Sequence, residues 1–374
     1  MFGSFRALFR APDRKHRKPG LDLIRGIAVG MVLLGHAWPA AFPSAGIVGV
    51  VIFFTLSGYL ITGLLQKDLR TQGRIRYGRF YLHRAFRLIP ALIVVLIAFA
   101  IVESVWNVLG SRDEILRTVI VGLTYTMNLG FFDRGSEAMR HLWTLATEEQ
   151  FYIVWPALLA FAFRKNRVRT ILVVSLVGVL ALCAATIFLT APDVHKVYTL
   201  PTSWAAAMVI GCWAKIEERR IIEWMSRCRR GLVGAVALAA LLVLGFIHDG
   251  KDMPLTYLVI GPVIAIASVG LIFEYAKWDE LPSRHLKPLL GLGVVSYAAY
   301  LWNYLIVNWM GGARPDFAFG AASIVLTVAA AVASWYLVEQ PATNLRIWLE
   351  NRNAFKRPAG AHRLQRKDLE EARE

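Results

Sequence analysis

Three short stretches of this sequence carry side chains whose types and spacing could do chemistry. The first is LDLIRGIAVGMVLLGH, residues 21–36. In a helix, Asp22 and Arg25 are three apart and share a face. His36 then lies about 21 Å further along the axis. An imidazole is suited to general-base work, because its unperturbed pKa of about 6.5 lies near neutrality. The plainer reading is a histidine bonded to a neighbouring helix, with Asp22 and Arg25 orienting a helix end. The second stretch is RFYLHRAFRLIP, residues 79–90. It gathers Arg79, His83, Arg84 and Arg87, and a helix would put Arg84 and Arg87 on one face. Guanidinium groups grip phosphate through paired hydrogen bonds; the plainer reading is charge that sets membrane topology. Pro90 marks a helix boundary. The third stretch is HLWTLATEEQFYIVWP, residues 141–156, where Glu148 and Glu149 sit among Trp143, Phe151, Tyr152 and Trp155. A carboxylate there would orient His36 and stabilise its protonated form. Alternatively, both acids face water at a helix start.

The elements that must position these groups are membrane helices. Of 374 residues, 56% are hydrophobic and 18% charged, and mean hydropathy is +0.49. A water-soluble domain of this size does not carry so much apolar sequence. Runs such as 89–102 and 171–189 approach the roughly 20 apolar residues that cross a bilayer as a helix, and open sheets cannot do so. Charge orders the runs. With the segment 115–132 left as an interfacial or re-entrant part of an outer loop, Arg112, Arg117, Arg134, Arg140, Lys196, Lys251 and Arg314 fall outside. Every other Lys and Arg falls inside. The positive-inside rule therefore predicts an all-α bundle of about ten spans with both termini cytoplasmic. It divides into a basic segment at 1–20, a transmembrane domain at 21–342 and a charged tail at 343–374. The first span is read as retained and not cleaved, because Asp22 and Arg25 enter it. The net charge of +16 sits in short loops beside apolar runs, which fits lipid head groups and topology and excludes nucleic acid as the partner. Cys183, Cys212 and Cys228 show no metal-type spacing and no disulfide framework.

In combination these stretches resemble the membrane acyltransferase-3 family, which includes bacterial O-acetyltransferases of O-antigen, exopolysaccharide and peptidoglycan. LDLIRGIAVGMVLLGH is similar to the family's LDxLRGxAxxxVxxxH opening, and VVIFFTLSGYLIT (50–62) to its FFxxSGF-type second span. HRAFRLIP carries the RxxR spacing, and LWTLATEEQFYIVWP resembles LWSLxxEExFY. SYAAYLWNYLIV (296–307) and SWYLVEQPA (334–342) resemble the SYxxYLxH and ExP elements. The resemblance implies that His36 is the catalytic histidine, that Arg84 and Arg87 serve acyl-CoA, and that Glu148 fills the family's acidic position. Ser57, Tyr152 and Tyr297 are the candidate oxyanion donors, with Asp22 and Arg25 in support. Asn303 stands where many relatives have histidine, and His83 where many have arginine. No esterase-like domain is expected beside the membrane module.

The resemblance further implies a multi-pass protein of the bacterial inner membrane. Acetyl-CoA is its donor substrate, no cofactor is permanently bound, and no metal is used. The acceptor is a lipid-linked or growing glycan, such as a lipopolysaccharide O-antigen or an exopolysaccharide. His36 acts as general base, with a transient acyl-histidine as the competing route. The alternative from another class is a secondary transporter with a buried His/Glu site. Such folds show related halves, and none is visible in the sequence.

Overall fold

A computed structural model describes residues 18–129, 134–229, 231–313 and 316–355, and all regular secondary structure among them is helical. The basic segment before residue 18 and the tail beyond 355 lie outside the described residues. Helix α1 is Pro19–Ala37, α2 Ala45–Gln72, α3 Tyr77–Val105, and α4 a short Ile115–Leu123. Next come α5 (Trp143–Arg164), α6 (Val168–Thr190), α7 (Pro201–Ile216), α8 (Glu218–Ser226) and α9 (Leu232–Leu244). A π turn at Thr256–Ile260 leads into α10 (Gly261–Tyr275). Helices α11 (Lys287–Val294) and α12 (Ser296–Trp309) follow, then α13 (Phe317–Ser334). A second π turn, Trp335–Glu339, joins α13 to α14 (Gln340–Phe355), so the domain boundary drawn at 342 falls inside a helix.

A helix stands at each of the ten expected spans, but only some are long and apolar enough to cross a membrane. Six of them pass among the described residues, and a seventh passes if α11 and α12, bent by 72°, count as one broken span. The others fall short for identifiable reasons. Helix α5 has 22 residues, but Thr144, Thr147, Glu148, Glu149 and Gln150 fill its first half. Helices α7 and α9 have 16 and 13 residues, below the length of a full crossing. Helix α4, within the 115–132 segment, has nine. Pro90 does not end a helix: it sits inside α3, which runs on to Val105. A bundle tolerates such a proline where neighbours absorb the freed carbonyl.

Burial sorts the helices into centre and rim. The most apolar window of α2 is 72% buried, against 11% for α6. Accordingly Val173, Val174, Val177, Leu182 and Phe188 on α6 are exposed, forming an apolar surface suited to lipid tails. Helix α2 packs against α1 on one side and α7 on the other. Small residues set these distances, because helices in lipid associate through close backbone contact. A Cβ on Gly58 would overlap the Met208 carbonyl, and one on Gly211 would overlap that of Thr55. Polar bonds add to this, as where Trp155 Nε1 on α5 donates to Thr62 Oγ1 on α2 at 2.9 Å.

Candidate active site

Two interior cavities account for the chemical residues, one towards each end of the bundle. The first, about 440 Å³, opens where α3 begins and is lined by Arg25, His83, Arg84, Arg87 and Arg346 with Glu148 facing them. Helical spacing puts Arg84 and Arg87 one turn apart on α3, yet their surroundings differ. Arg84 Nη2 donates to Glu149 Oε1 at 2.5 Å, and its guanidinium lies 3.5 Å from the centre of the Tyr152 ring. Arg87 has no hydrogen-bond partner among the described residues, although Glu148 and Glu339 lie within electrostatic reach. Arg25 is held by Asp22 at 2.6 Å. His83 pairs with Glu350 of α14. Glu148 and Ser57 of α2 line the same cavity wall. Tyr297 donates its hydroxyl to the Leu88 carbonyl at 2.8 Å.

The second cavity, about 900 Å³, contains His36. The ring belongs to the last turn of α1. Its Nδ1 lies 2.6 Å from Asn303 Oδ1 on α12, and Tyr304 packs beside it with ring centres 5.0 Å apart. A second histidine, His141, shares this cavity; its Nε2 lies 3.1 Å from the Leu301 carbonyl. Arg134, Arg140, Lys196 and Lys251 surround the mouth. Burial holds the Lys251 ammonium below the usual lysine range, with Arg140 acting in the same direction and Asp252 against it. Arg134 is lowered by burial first and by Arg140 second, and it donates to Thr199 Oγ1 at 2.9 Å.

The structure thus groups the expected residues differently from the sequence reading. Arg84, Arg87, Arg25, Ser57, Tyr152, Tyr297 and Glu148 all line the arginine cavity, and Asp22 supports it through Arg25. Glu148 does not hold the imidazole; that position belongs to Asn303. Nor do Ser57, Tyr152 or Tyr297 line the cavity that contains His36. Val50 and Tyr300 line both cavities and form the wall between them. The Tyr300 hydroxyl donates to the His141 carbonyl and accepts from Thr144 Oγ1, each at 2.7 Å. Sequence reasoning missed Asn303, Tyr300, Tyr304 and His141. The signal was present in SYAAYLWNYLIV, where Ser296, Tyr300, Asn303 and Tyr304 recur at helical spacing and draw a polar line up one side of α12. Ser296 touches the arginine cavity, Tyr300 both, and Tyr304 the histidine cavity.

Several apolar helices enclosing two cavities that carry charged side chains define a multi-pass helical membrane protein with an interior site. Comparison supplies the family: the model of the acyltransferase-3 family, described as an acyltransferase domain, matches residues 18–339, and the chain belongs to that family. A protein named O-acetyltransferase OatA from Staphylococcus aureus is 29% identical over 348 residues, covering 86% of this chain and 57% of that protein. The putative peptidoglycan O-acetyltransferase YrhL of Bacillus subtilis is 31% identical over 381 residues, covering 92% of this chain and 57% of YrhL. The peptidoglycan O-acetyltransferase OatA of Listeria monocytogenes is 28% identical over 318 residues, covering 78% and 49%. The chain therefore spans about half the length of these curated relatives. No solved structure matches it.

Proposed function

We propose that the chain is a membrane O-acyltransferase that moves an acetyl group from acetyl-CoA to a hydroxyl of a cell-envelope glycan. The observation that carries this reading is the pair of cavities, one cationic and one holding His36, back to back across Val50 and Tyr300. In this reading about ten helices cross the bacterial inner membrane, both termini are cytoplasmic, and the arginine cavity opens to the cytoplasm. Its cations take the phosphates of acyl-CoA. The pantetheine arm extends along the polar line of α12, and displacement of Tyr300 admits the thioester to the second cavity. The acceptor hydroxyl arrives beside His36, which removes its proton as the oxygen attacks the thioester carbonyl. A C–O bond forms, the C–S bond breaks, and the CoA thiolate leaves with the proton that His36 releases. Glu148 acts on the donor side, among the arginines, and not on the imidazole. Acyl-CoA is a substrate and no resident cofactor is needed. The names of the relatives make peptidoglycan the first acceptor to test, with O-antigen and exopolysaccharide beside it.

Membranes containing the protein, given labelled acetyl-CoA, are expected to transfer label to one of these glycans. His36→Ala, at equal protein level, should abolish the transfer. Wild-type labelling by that variant would sink the reading.

A further inference from the structure

The bonding around His36 fixes more than its position. Asn303, Thr327 and Ser323 are all fully buried, so water cannot satisfy or reorient them. Thr327 Oγ1 donates to the Ser323 carbonyl one helical turn back on α13, at 2.7 Å. Its single hydrogen is thereby committed, and towards Asn303 the hydroxyl can only accept. The Asn303 group facing Thr327 at 3.3 Å is therefore the Nδ2 amide. Turning the amide round would place two acceptors against each other, or strip the hydrogen from the 2.7 Å contact. With Nδ2 towards Thr327, Oδ1 must face His36, and a carbonyl oxygen 2.6 Å from Nδ1 requires that nitrogen to carry the proton. A neutral imidazole protonated on Nδ1 has its lone pair on Nε2.

We infer that Asn303 is a positioning residue that, backed by Thr327 and Ser323, locks His36 in the tautomer whose bare Nε2 is the base or nucleophile of the transfer. The inference rests on the proposed transfer at His36. Three helices contribute one link each: α13 sets the polarity, α12 relays it, and α1 presents the ring. A neutral amide here does what a carboxylate would do for orientation without adding a buried charge.

The test compares two substitutions that differ in one property. Asn303→Leu keeps the branched shape and the number of heavy atoms and can neither accept nor donate. Asn303→Asp can only accept from Nδ1, and its second oxygen takes the Thr327 hydroxyl hydrogen, turned from the Ser323 carbonyl, so that no two acceptors face each other. With the tautomer as inferred, Asn303→Leu lowers kcat by about 10- to 100-fold, the scale of one lost hydrogen bond to a group that becomes charged, and leaves KM for acetyl-CoA unchanged. Asn303→Asp retains kcat at least about tenfold above Asn303→Leu. Equal losses in the two variants would mean that the amide donates to Nδ1, and the inference falls. Full kcat in Asn303→Leu would also overturn it. A direct readout does not depend on turnover. In the full-length protein in lipid nanodiscs, with 15N-labelled histidine, the non-protonated ring nitrogen of His36 should couple to both ring C–H protons, as Nε2 does. A bare Nδ1 would refute the assignment. The outcomes separate cleanly. An active His36→Ala variant removes the transfer reading itself. An inactive His36→Ala beside a fully active Asn303→Leu removes only the role of Asn303.

Discussion

Arg84 and Arg87 occupy neighbouring turns of the same helix, yet chemistry gives them separate work. Arg84 is committed to Glu149 on one side and the Tyr152 ring on the other. Replacing it by alanine strands a mostly buried carboxylate, a change that costs about 3 kcal/mol or more. Arg84→Ala should therefore lower the amount of folded protein, and Arg84→Ala with Glu149→Ala should recover much of it, as measured by thermal unfolding in detergent. Arg87 has no such bond to lose among the described residues. Arg87→Ala should fold normally and raise KM for acetyl-CoA about tenfold, the effect of one charge-assisted phosphate contact. An unchanged KM would remove Arg87 from the donor site. The RxxR spacing was legible in the sequence, but the difference between its two arginines was not. The partner that distinguishes them, Glu149, is 65 residues away, and no local pattern says which of two adjacent glutamates it will be.

At the scale of elements, apolar runs made the apolar helices legible, because a lipid-facing segment has to satisfy its own backbone, but not the polar α14, which continues past them to Phe355. What they left open was the set of contacts between helices. Glycines decide one of these. Gly58 and Gly211 face the backbones of Met208 and Thr55 across the α2–α7 contact, so Gly211→Leu should force the two helices apart and give no monodisperse protein on size exclusion. Normal behaviour of that variant would show that the contact is not needed for folding. Helix α12 supplies the other contact that matters. Its hydroxyl at Tyr300 ties Thr144 to the His141 carbonyl, and a neutral buried bond of this kind contributes about 1 kcal/mol. Tyr300→Phe should loosen the wall, leaving acetyl-CoA binding intact while altering kcat. Enlarging the wall with Val50→Trp should stop transfer and spare binding. Equal loss of binding and transfer in Val50→Trp would mean that the wall residue belongs to the donor site alone. Asn303 was quoted within its motif yet not assigned a role, since the residues that give its amide a direction lie on α13, two helices away from His36.

For the molecule as a whole, the two cavities serve transfer across a membrane only if they open on opposite sides. Helix α6 decides this directly. Its 23 residues span roughly 34 Å at helical rise, enough for one crossing. Arg167 precedes it at the end of the bundle where the neighbouring Arg169 pairs with Glu217. Lys196 follows it and lines the mouth of the His36 cavity. Both side chains are exposed. In a protein whose native Cys183, Cys212 and Cys228 have been replaced by alanine or serine, Arg167→Cys and Lys196→Cys each give one accessible thiol. A membrane-impermeant maleimide added to intact cells should label Lys196→Cys at once. It should reach Arg167→Cys only after the membrane is permeabilised. Whatever the span count elsewhere, a single crossing between these two positions puts the Arg167 end of the bundle and the mouth of the histidine cavity on different sides. Labelling of both positions from outside would place both ends of α6 on the same side, and α6 could no longer separate a cytoplasmic donor from an external acceptor.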